Sequence, residues 1–418
     1  MSAADIGSDR WLRSIRQRAS HAHLVLDVSR LPTPSWRSKR ARLDAIIVPA
    51  SRPAQCLEPA ARLATILDVP LVILCSKGAT IDRVAELVLR FAGLRSVVVE
   101  IAPKWSHPDF THRTSATRFQ SASADRGGDL SAKRNIGLAL ARLHGWSKVV
   151  FVDDDITSLQ AVDLVKLARQ LENHQVAGMR VCDYPDNSVV CHGLRLAGFT
   201  QDVFVTAAVL GVRCNDLPLS FFPDIYNEDW FFFAEEAAAR DLPSVGNARQ
   251  AEYDPFASPK RARNEEFGDL LAEGLYALFG RQHPRMPFNE RLDKATTTYW
   301  WSFIDARIKV INEAHRALYR ILDRDPHDDR ASSALRSLGA AKSHLKSALN
   351  PELCVNFLNA WRDDLVDWRN FSSGLDNVGN TAQAMEFLQI KTWTGPNLIH
   401  GRRLVKGRRS GSTNLVSS

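Results

Sequence analysis

The sequence predicts an α/β protein, in which a mixed, mainly parallel sheet is followed by a helical C-terminal domain. Three observations predict it. Short apolar, β-branched runs alternate with helical stretches of roughly 10–12 residues from residue 45 onward, the pattern of βαβ units. One of those runs, Val149-Val150-Phe151-Val152, ends on three consecutive aspartates. From about Thr296 the strand-like runs cease, and apolar residues recur at three- and four-residue steps, as on one face of a helix.

Taken in order, Ala45-Ile46-Ile47-Val48 reads as a buried strand halted by Pro49. A helix is expected from about Leu57 to Leu67, and a second strand over Leu71-Val72-Ile73-Leu74, ending at Ser76-Lys77-Gly78. Ile81 to Phe91 should be helical and Val97 to Ile101 a third strand. Residues 103–130 are rich in Ser, Thr, His, Arg and Gly without a period, and are expected to form a long loop. Helix resumes over Ser131 to Leu143, then the strand Val149–Val152 and a helix over 157–171. Strands are expected near 175–181, 189–196 and 203–212, with a helix beginning near Trp230. Further on, Trp300, Ile304, Ile308, Ile311, Leu318 and Ile321 form one apolar stripe. Asn350-Pro351 joins a capping side chain to a proline at the first helical position. The expected layout is a basic extension over 1–42, an α/β domain over 43–285, a helical domain over 286–400 and a basic disordered tail over 401–418.

A chain of 418 residues exceeds one ordinary core, and 45% hydrophobic with 24% charged residues is the composition of a folded protein. No apolar run approaches the roughly 20 residues of a membrane span, and no apolar core of a secretory signal follows the first charges. The six cysteines, Cys56, Cys75, Cys182, Cys191, Cys214 and Cys354, show no C-x-x-C spacing, which points to a reducing, cytoplasmic setting. Of the net charge of +7, residues 1–42 carry +6 and residues 401–418 carry +5, so the body between them is acidic. Basic tails suit a weak contact with an anionic surface, whether nucleic acid or lipid, or simply solvated ends.

The chemistry centres on Asp153-Asp154-Asp155. In open α/β sheets the ligand crevice lies beyond the carboxyl ends of the strands. Like charges crowded there repel unless something positive sits between them. A hard divalent cation, Mg²⁺ or Mn²⁺, bridging to a diphosphate would supply it. The plainer alternative is a solvated acidic turn that caps the next helix.

Four motifs in order give this chain a family likeness over roughly residues 45–280. Ile46-Ile47-Val48-Pro49-Ala50-Ser51-Arg52, Lys133-Arg134-Asn135-Ile136-Gly137, Val149 to Asp155, and Asn227-Glu228-Asp229-Trp230 resemble, in turn, four features of the GT-A glycosyltransferases. These are the nucleotide-contacting first strand, the R-N-x-G helix, the D-x-D strand and the E-D motif, and the likeness is greatest to family two. The resemblance implies a nucleotide-diphosphate sugar donor, contacted by Pro49, Ser51, Arg52, Ser76, Lys77, Lys133, Arg134, Asn135, Asp153 and Asp154. Arg134 reads equally as a structural partner of the aspartate cluster, and Ser76-Lys77 equally as a plain turn. The resemblance further implies Mn²⁺ or Mg²⁺ on Asp155, with Asp153 as a second ligand. It also makes Asp229, or Glu228, the base on an acceptor hydroxyl of unknown identity. The E-D base resembles that of inverting members, and the Q-x-x-R-W motif of processive members is absent. His283 is the one candidate for a third metal ligand. Glu265-Glu266-Phe267-Gly268-Asp269 with Tyr253-Asp254-Pro255-Phe256 could form an acceptor lid, and the helical region could shape the acceptor side or a homodimer contact.

Other readings compete, among them a nucleotidyltransferase on a related fold. Asp153-x-Asp155-x-Thr157 after an apolar strand matches the nucleophile motif of haloacid dehalogenase-like phosphatases, with Asp153 attacking phosphorus and Asp224 and Asp229 as later acids. Alternatively, the domain binds without turnover and serves as a scaffold.

Overall fold

The computed structural model describes residues 21–32, 34, 41–103, 105–182, 188–200, 202–215, 218–396 and 398. The strands are β1 (Val25–Asp27), β2 (Ala45–Ala50), β3 (Leu71–Cys75), β4 (Ser96–Glu100), β5 (Lys148–Val152), β6 (Ile156–Ser158), β7 (Val176–Cys182), β8 (Val205–Arg213), β9 (Leu242–Gln250) and β10 (Trp393–Thr394). They form one sheet in the order β1-β9-β7-β8-β5-β2-β3-β4-β10, with β6 paired to β9. The β1-β9-β7 pairs and the β5-β2-β3-β4 pairs are parallel, whereas β8, β10 and β6 run antiparallel to their neighbours. The carboxyl ends of β2, β3, β5, β7 and β9 therefore open on one rim.

The side-chain period of two divides the sheet's residues between two apolar layers. Ile47, Val72, Leu74, Val97, Val99, Val149 and Phe151 face one layer. Ile46, Val48, Leu71, Ile73, Val98, Val150 and Val152 face the other. Because both faces are covered, the central strands are apolar throughout, as parallel strands must be. The second layer is covered by α1 (Glu58–Leu67), α2 (Ile81–Leu89) and α5 (Ala161–Gln170). Over the first lie α3 (Thr117–Ala122), α4 (Leu130–Leu143), α6 (Val189–Leu196), α7 (Glu228–Phe232), α8 (Ala234–Ala239), α9 (Pro259–Phe279) and α10 (Phe288–Leu292). The later helices α11 (Thr297–Arg324), α12 (Asp329–Ser347), α13 (Pro351–Ser373) and α14 (Thr381–Phe387) share that same layer through Trp300, Leu318, Leu338, Trp361, Trp368 and Met385. One buried apolar cluster thus crosses residue 285 without interruption. Asn350 caps α13 as expected, accepting from the N–H of Leu353, and Thr296 caps α11 at the N–H of Tyr299.

Several expectations are corrected. Pro49 does not halt its strand. Ile46 N–H bonds across to the β3 side, so by alternation the N–H that Pro49 lacks would face β5, whose pairing with β2 ends at Ile47. Residues 103–130 contain α3, where Phe119 is buried against Phe267 and Phe357. The stretch 189–196 is a helix, because Ser188 caps it at the N–H of Cys191 and the carboxylate of Glu265 takes the N–H of Val189. Asp155 leads directly into the short strand β6, and the next helix starts only at Ala161. The basic extension enters the fold, since β1 adds a parallel strand beside β9 and Leu24 is fully buried. The C-terminal region is not helix alone, because β10 returns to the free edge of β4. The expected tail over 401–418 lies outside the described residues. Among the described residues no helix is long and apolar enough to cross a membrane, and none of the six cysteines is in a disulfide.

Candidate active site

The rim is assembled from the ends of β2, β3 and β5 and the starts of α4 and α7. Asp153, Asp154 and Asp155 follow β5, and each is held in a different way, with Arg52 shared between the last two. Both oxygens of Asp153 accept from Nη2 of Arg134 at 2.8 and 2.9 Å. Asp154 Oδ2 accepts from the backbone N–H groups of Ser51 and Arg52 at 2.6 and 2.7 Å. Asp155 Oδ2 meets Arg52 Nη2 at 2.9 Å, while Arg52 Nε stands 3.6 Å from Asp154 Oδ1. The chain's own guanidinium and amide groups thus provide the positive counterpart that the charge argument assigns to a metal ion. Asp155 does not cap a helix.

Arg134 lies on α4, fully buried, and reaches two segments at once. Its Nη1 donates to Glu228 and its Nη2 to Asp153, while the guanidinium lies 5.5 Å from the Phe222 ring centroid. Gly137, one turn further along α4, lets that helix press onto the sheet, since a Cβ there would stand 2.7 Å from Phe151 Cε1. Asn227 enters α7 with φ +60°, a left-handed conformation that Asn tolerates, and its side chain donates to Asp269 at 3.2 Å. That turn aims Glu228 at Arg134 and Asp229 at β8. There the carboxylate accepts from the N–H of Ala207 at 2.8 Å and from that of Trp230 at 2.9 Å. The wall behind is aromatic, with Phe222 and Phe232 stacked at 4.1 Å between centroids.

Burial sets the proton affinities here. It pushes Asp229 up to about 6, with repulsion from Glu228 adding, and with Arg134 and the two N–H groups opposing. Burial likewise pushes Asp153 up to about 7 against the pull of Arg134. Asp155 is raised by burial and by Asp154, and Arg52 opposes the rise.

The other expected donor contacts divide into two groups. Ser51, Arg52, Ser76 and Lys77 stand at the rim. Pro49, Lys133, Asn135 and Asp154 turn inward. Pro49 is buried within β2. Lys133, 1% exposed, donates to Ala50 O at 2.7 Å and to Ser76 Oγ at 2.6 Å, tying α4 to the ends of β2 and β3. Asn135 exchanges two hydrogen bonds with the backbone of Phe222. These residues build the rim rather than face a ligand. Asp129, which lies outside all four motifs, joins the same cluster, accepting from Ser76 Oγ at 2.6 Å and standing 3.4 Å from Lys77 and 3.5 Å from Lys133. Its spacing of four before Lys133 on a helix start is a signal that could have found it.

His283 lies in an exposed loop, its ring accepting from the N–H of Arg285 and its carbonyl from Arg291, and neither partner belongs to the rim. Glu265, Glu266 and Asp269 are buried in α9 and paired with Arg261 and Arg307, so that stretch is core and not a lid. Asp224 accepts from Gln120 at 3.2 Å. Among the described residues only Cys191, Asp269 and Glu273 bring three potential metal-ligating atoms within 4.8 Å of one another, and Arg307 and His21 already pair with two of them.

In donor chemistry the rim fits a hard divalent ion at one residue. Asp155 presents carboxylate oxygen, is 16% exposed, and is paired to a side chain that solvent can reach. Asp153, with both oxygens on Arg134, fits that role poorly. Compared with models of known protein families the chain matches none, and no curated protein matches it.

Proposed function

We propose that this protein transfers a sugar from a nucleotide-diphosphate sugar to an acceptor hydroxyl, in a single metal-dependent displacement that inverts the anomeric carbon. The observation that carries the reading is the meeting, at one carboxyl rim, of four segments far apart in sequence: Ser51-Arg52, Ser76-Lys77, Asp153–Asp155 and Glu228-Asp229. A ligand crevice belongs at such a rim.

In this reading Asp155 holds the divalent ion, which when bound stabilises charge on the leaving diphosphate. Arg52 and Lys77 lie where phosphate oxygens would be recognised. The acceptor oxygen forms its bond to the anomeric carbon as the bond from that carbon to the diphosphate oxygen breaks. Asp229 takes the acceptor's proton, and the nucleoside diphosphate departs with the bonding pair. A buried carboxylate with proton affinity near 6 is well matched to that role, since it is ionised at neutral pH yet basic enough to accept. Each of its oxygens accepts one N–H bond and retains a second lone pair. Arg134 holds Asp153 and Glu228 at fixed separation and so sets the distance between donor and acceptor sides.

The phosphatase reading loses its nucleophile, because both oxygens of Asp153 are engaged by Arg134, and Thr157 Oγ1 is turned to Arg249 O at 3.2 Å. Binding without turnover is favoured by one observation, that each of the three aspartates already has a positive or N–H partner within the chain. Thermal unfolding with UDP, GDP, ADP and CDP in turn, with and without Mn²⁺, tests the proposal. One nucleotide should raise the midpoint only with Mn²⁺, and Asp155→Ala should lose the effect. Release of free sugar or transfer to added acceptors then separates the transferase from a silent binder. A midpoint indifferent to every nucleotide would remove both.

A further inference from the structure

We infer that Arg52 is a resident counter-ion at the rim, occupying the place of the divalent cation until donor and metal arrive and then turning to the donor's diphosphate. The inference rests on the donor-binding reading above. It comes from the unequal way in which the three aspartates are held. Asp154 is fixed by two backbone N–H groups, which cannot leave. Asp153 is fixed by Arg134, a buried side chain also committed to Glu228. Asp155 alone depends on a side chain that can move away, because Arg52 is 40% exposed, whereas Asp154 keeps its two N–H bonds when Arg52 Nε, 3.6 Å from its Oδ1, departs. The same Arg52 has its backbone N–H anchored by Asp154, so its Cα stays at the rim whichever way the guanidinium points. Only one of the three acids can therefore exchange its partner, and it is the one whose oxygens suit a hard cation.

The charge arithmetic favours the exchange only when a diphosphate is present. In the free protein a guanidinium partly balances Asp154 and Asp155 without binding an ion. Entry of a divalent ion at Asp155 puts like charge beside Arg52 and repels it. A diphosphate bridging the ion then offers the displaced guanidinium a bidentate acceptor at the same rim. Metal and donor would thus bind with positive coupling, each removing an obstacle to the other. Arg52 is a positioning residue in this account, acting through charge placement.

Titration of the full chain with Mn²⁺ alone, followed by the paramagnetic signal of free Mn²⁺, tests it directly. Arg52→Ala should bind Mn²⁺ about fivefold more tightly than the wild type when no nucleotide is present, the size expected for removing one partly exposed ion pair as competitor. Asp155→Ala added to that variant should abolish the gain. With Mn²⁺ saturating, Arg52→Ala should bind the selected nucleotide about tenfold more weakly, and Arg52→Lys should lie between, keeping charge without the fork. Arg52→Gln, which retains length, replaces the alanine variant if that one fails to fold. Equal Mn²⁺ affinity in wild type and variant, with Mn²⁺-dependent nucleotide binding intact in the wild type, would overturn this inference and leave the donor reading standing. No Mn²⁺-dependent binding of any nucleotide by the wild type would overturn both.

Discussion

At the residue scale, Asp229 differs from a surface carboxylate in having to be charged where charge is disfavoured. Burial raises its proton affinity, Glu228 adds to the rise, and the net position is near 6. A base must be ionised, so kcat/KM should climb as pH rises through about 6 and then level. Asp229→Asn should remove turnover and leave Mn²⁺-dependent nucleotide binding in place. Initial rates over about pH 5 to 8 check the limb, and a flat profile would take the base role from Asp229. Glu236 obeys the same sign rule away from the site. Burial lifts it to about 7, and its Oε2 has no hydrogen-bond partner. Its folded pKa exceeds its unfolded value of 4.5, so the stability it contributes is present below that value and lost as pH rises through about 7. Glu236→Gln should therefore raise the melting temperature by about 2 °C at pH 8 and leave it unchanged at pH 4, as paired calorimetric scans would show. At this scale the aspartates were legible in the sequence because their spacing is local. Of their partners, Arg134 could be read in two ways, as a phosphate contact or as a structural partner of the aspartates, and the fold pairs it with Asp153. Arg52 is 102 residues from Asp154, so only the fold reveals that it balances the acids.

At the element scale, α4 carries much of the site because it holds Arg134, Lys133 and Asn135 on a helix pressed flat against β2 and β5. Gly137 makes that approach available. An added Cβ would meet Phe151 Cε1 at 2.7 Å and Ile47 Cγ2 at 3.1 Å, and Phe151 is confined by Phe222. Gly137→Ala should destabilise the fold by about 1–3 kcal/mol, as overpacking does, and weaken nucleotide binding by shifting Arg134. Phe151→Leu in the same chain should recover part of both losses, because the two positions share one contact and their effects should not add. Denaturant titration of the single and double variants checks the coupling. Strands β2, β3, β4 and β5 were readable because burial on both faces leaves a continuous apolar run that little else imitates. The run Val189-Val190-Cys191 misled for the same reason. It is apolar and β-branched, yet it forms α6 because Glu265, 76 residues away, supplies an acceptor for the N–H of Val189. Short β1 and β10 carry too few residues for any period to register.

At the scale of the whole molecule, the first described residues brace the helix that bears the acid pair. The His21 ring lies 5.3 Å from that of Trp230 and 5.7 Å from that of Tyr276, while its Nε2 meets Glu273 Oε2 at 3.0 Å. Tyr276 in turn donates to Trp230 O at 2.8 Å, so the N-terminal segment, α9 and α7 close on one aromatic contact directly behind Asp229. Leu24 is fully buried beside it, and β1 pairs with Leu242 to Ser244. A segment that would look from composition like a basic spacer is therefore built into the sheet and the site together. Deleting residues 1–28 should cost about 3–5 kcal/mol, the range for losing a large buried side chain with its surroundings, and should shift Trp emission to longer wavelength as Trp230 meets water. His21→Ala keeps the strand and removes only the brace. It should lower turnover more than it lowers the melting temperature, because the loosened element is α7. If the deletion melted with the wild type and kept its emission, the first 28 residues would be dispensable to the fold, and the support behind Asp229 would have to come from α9 alone.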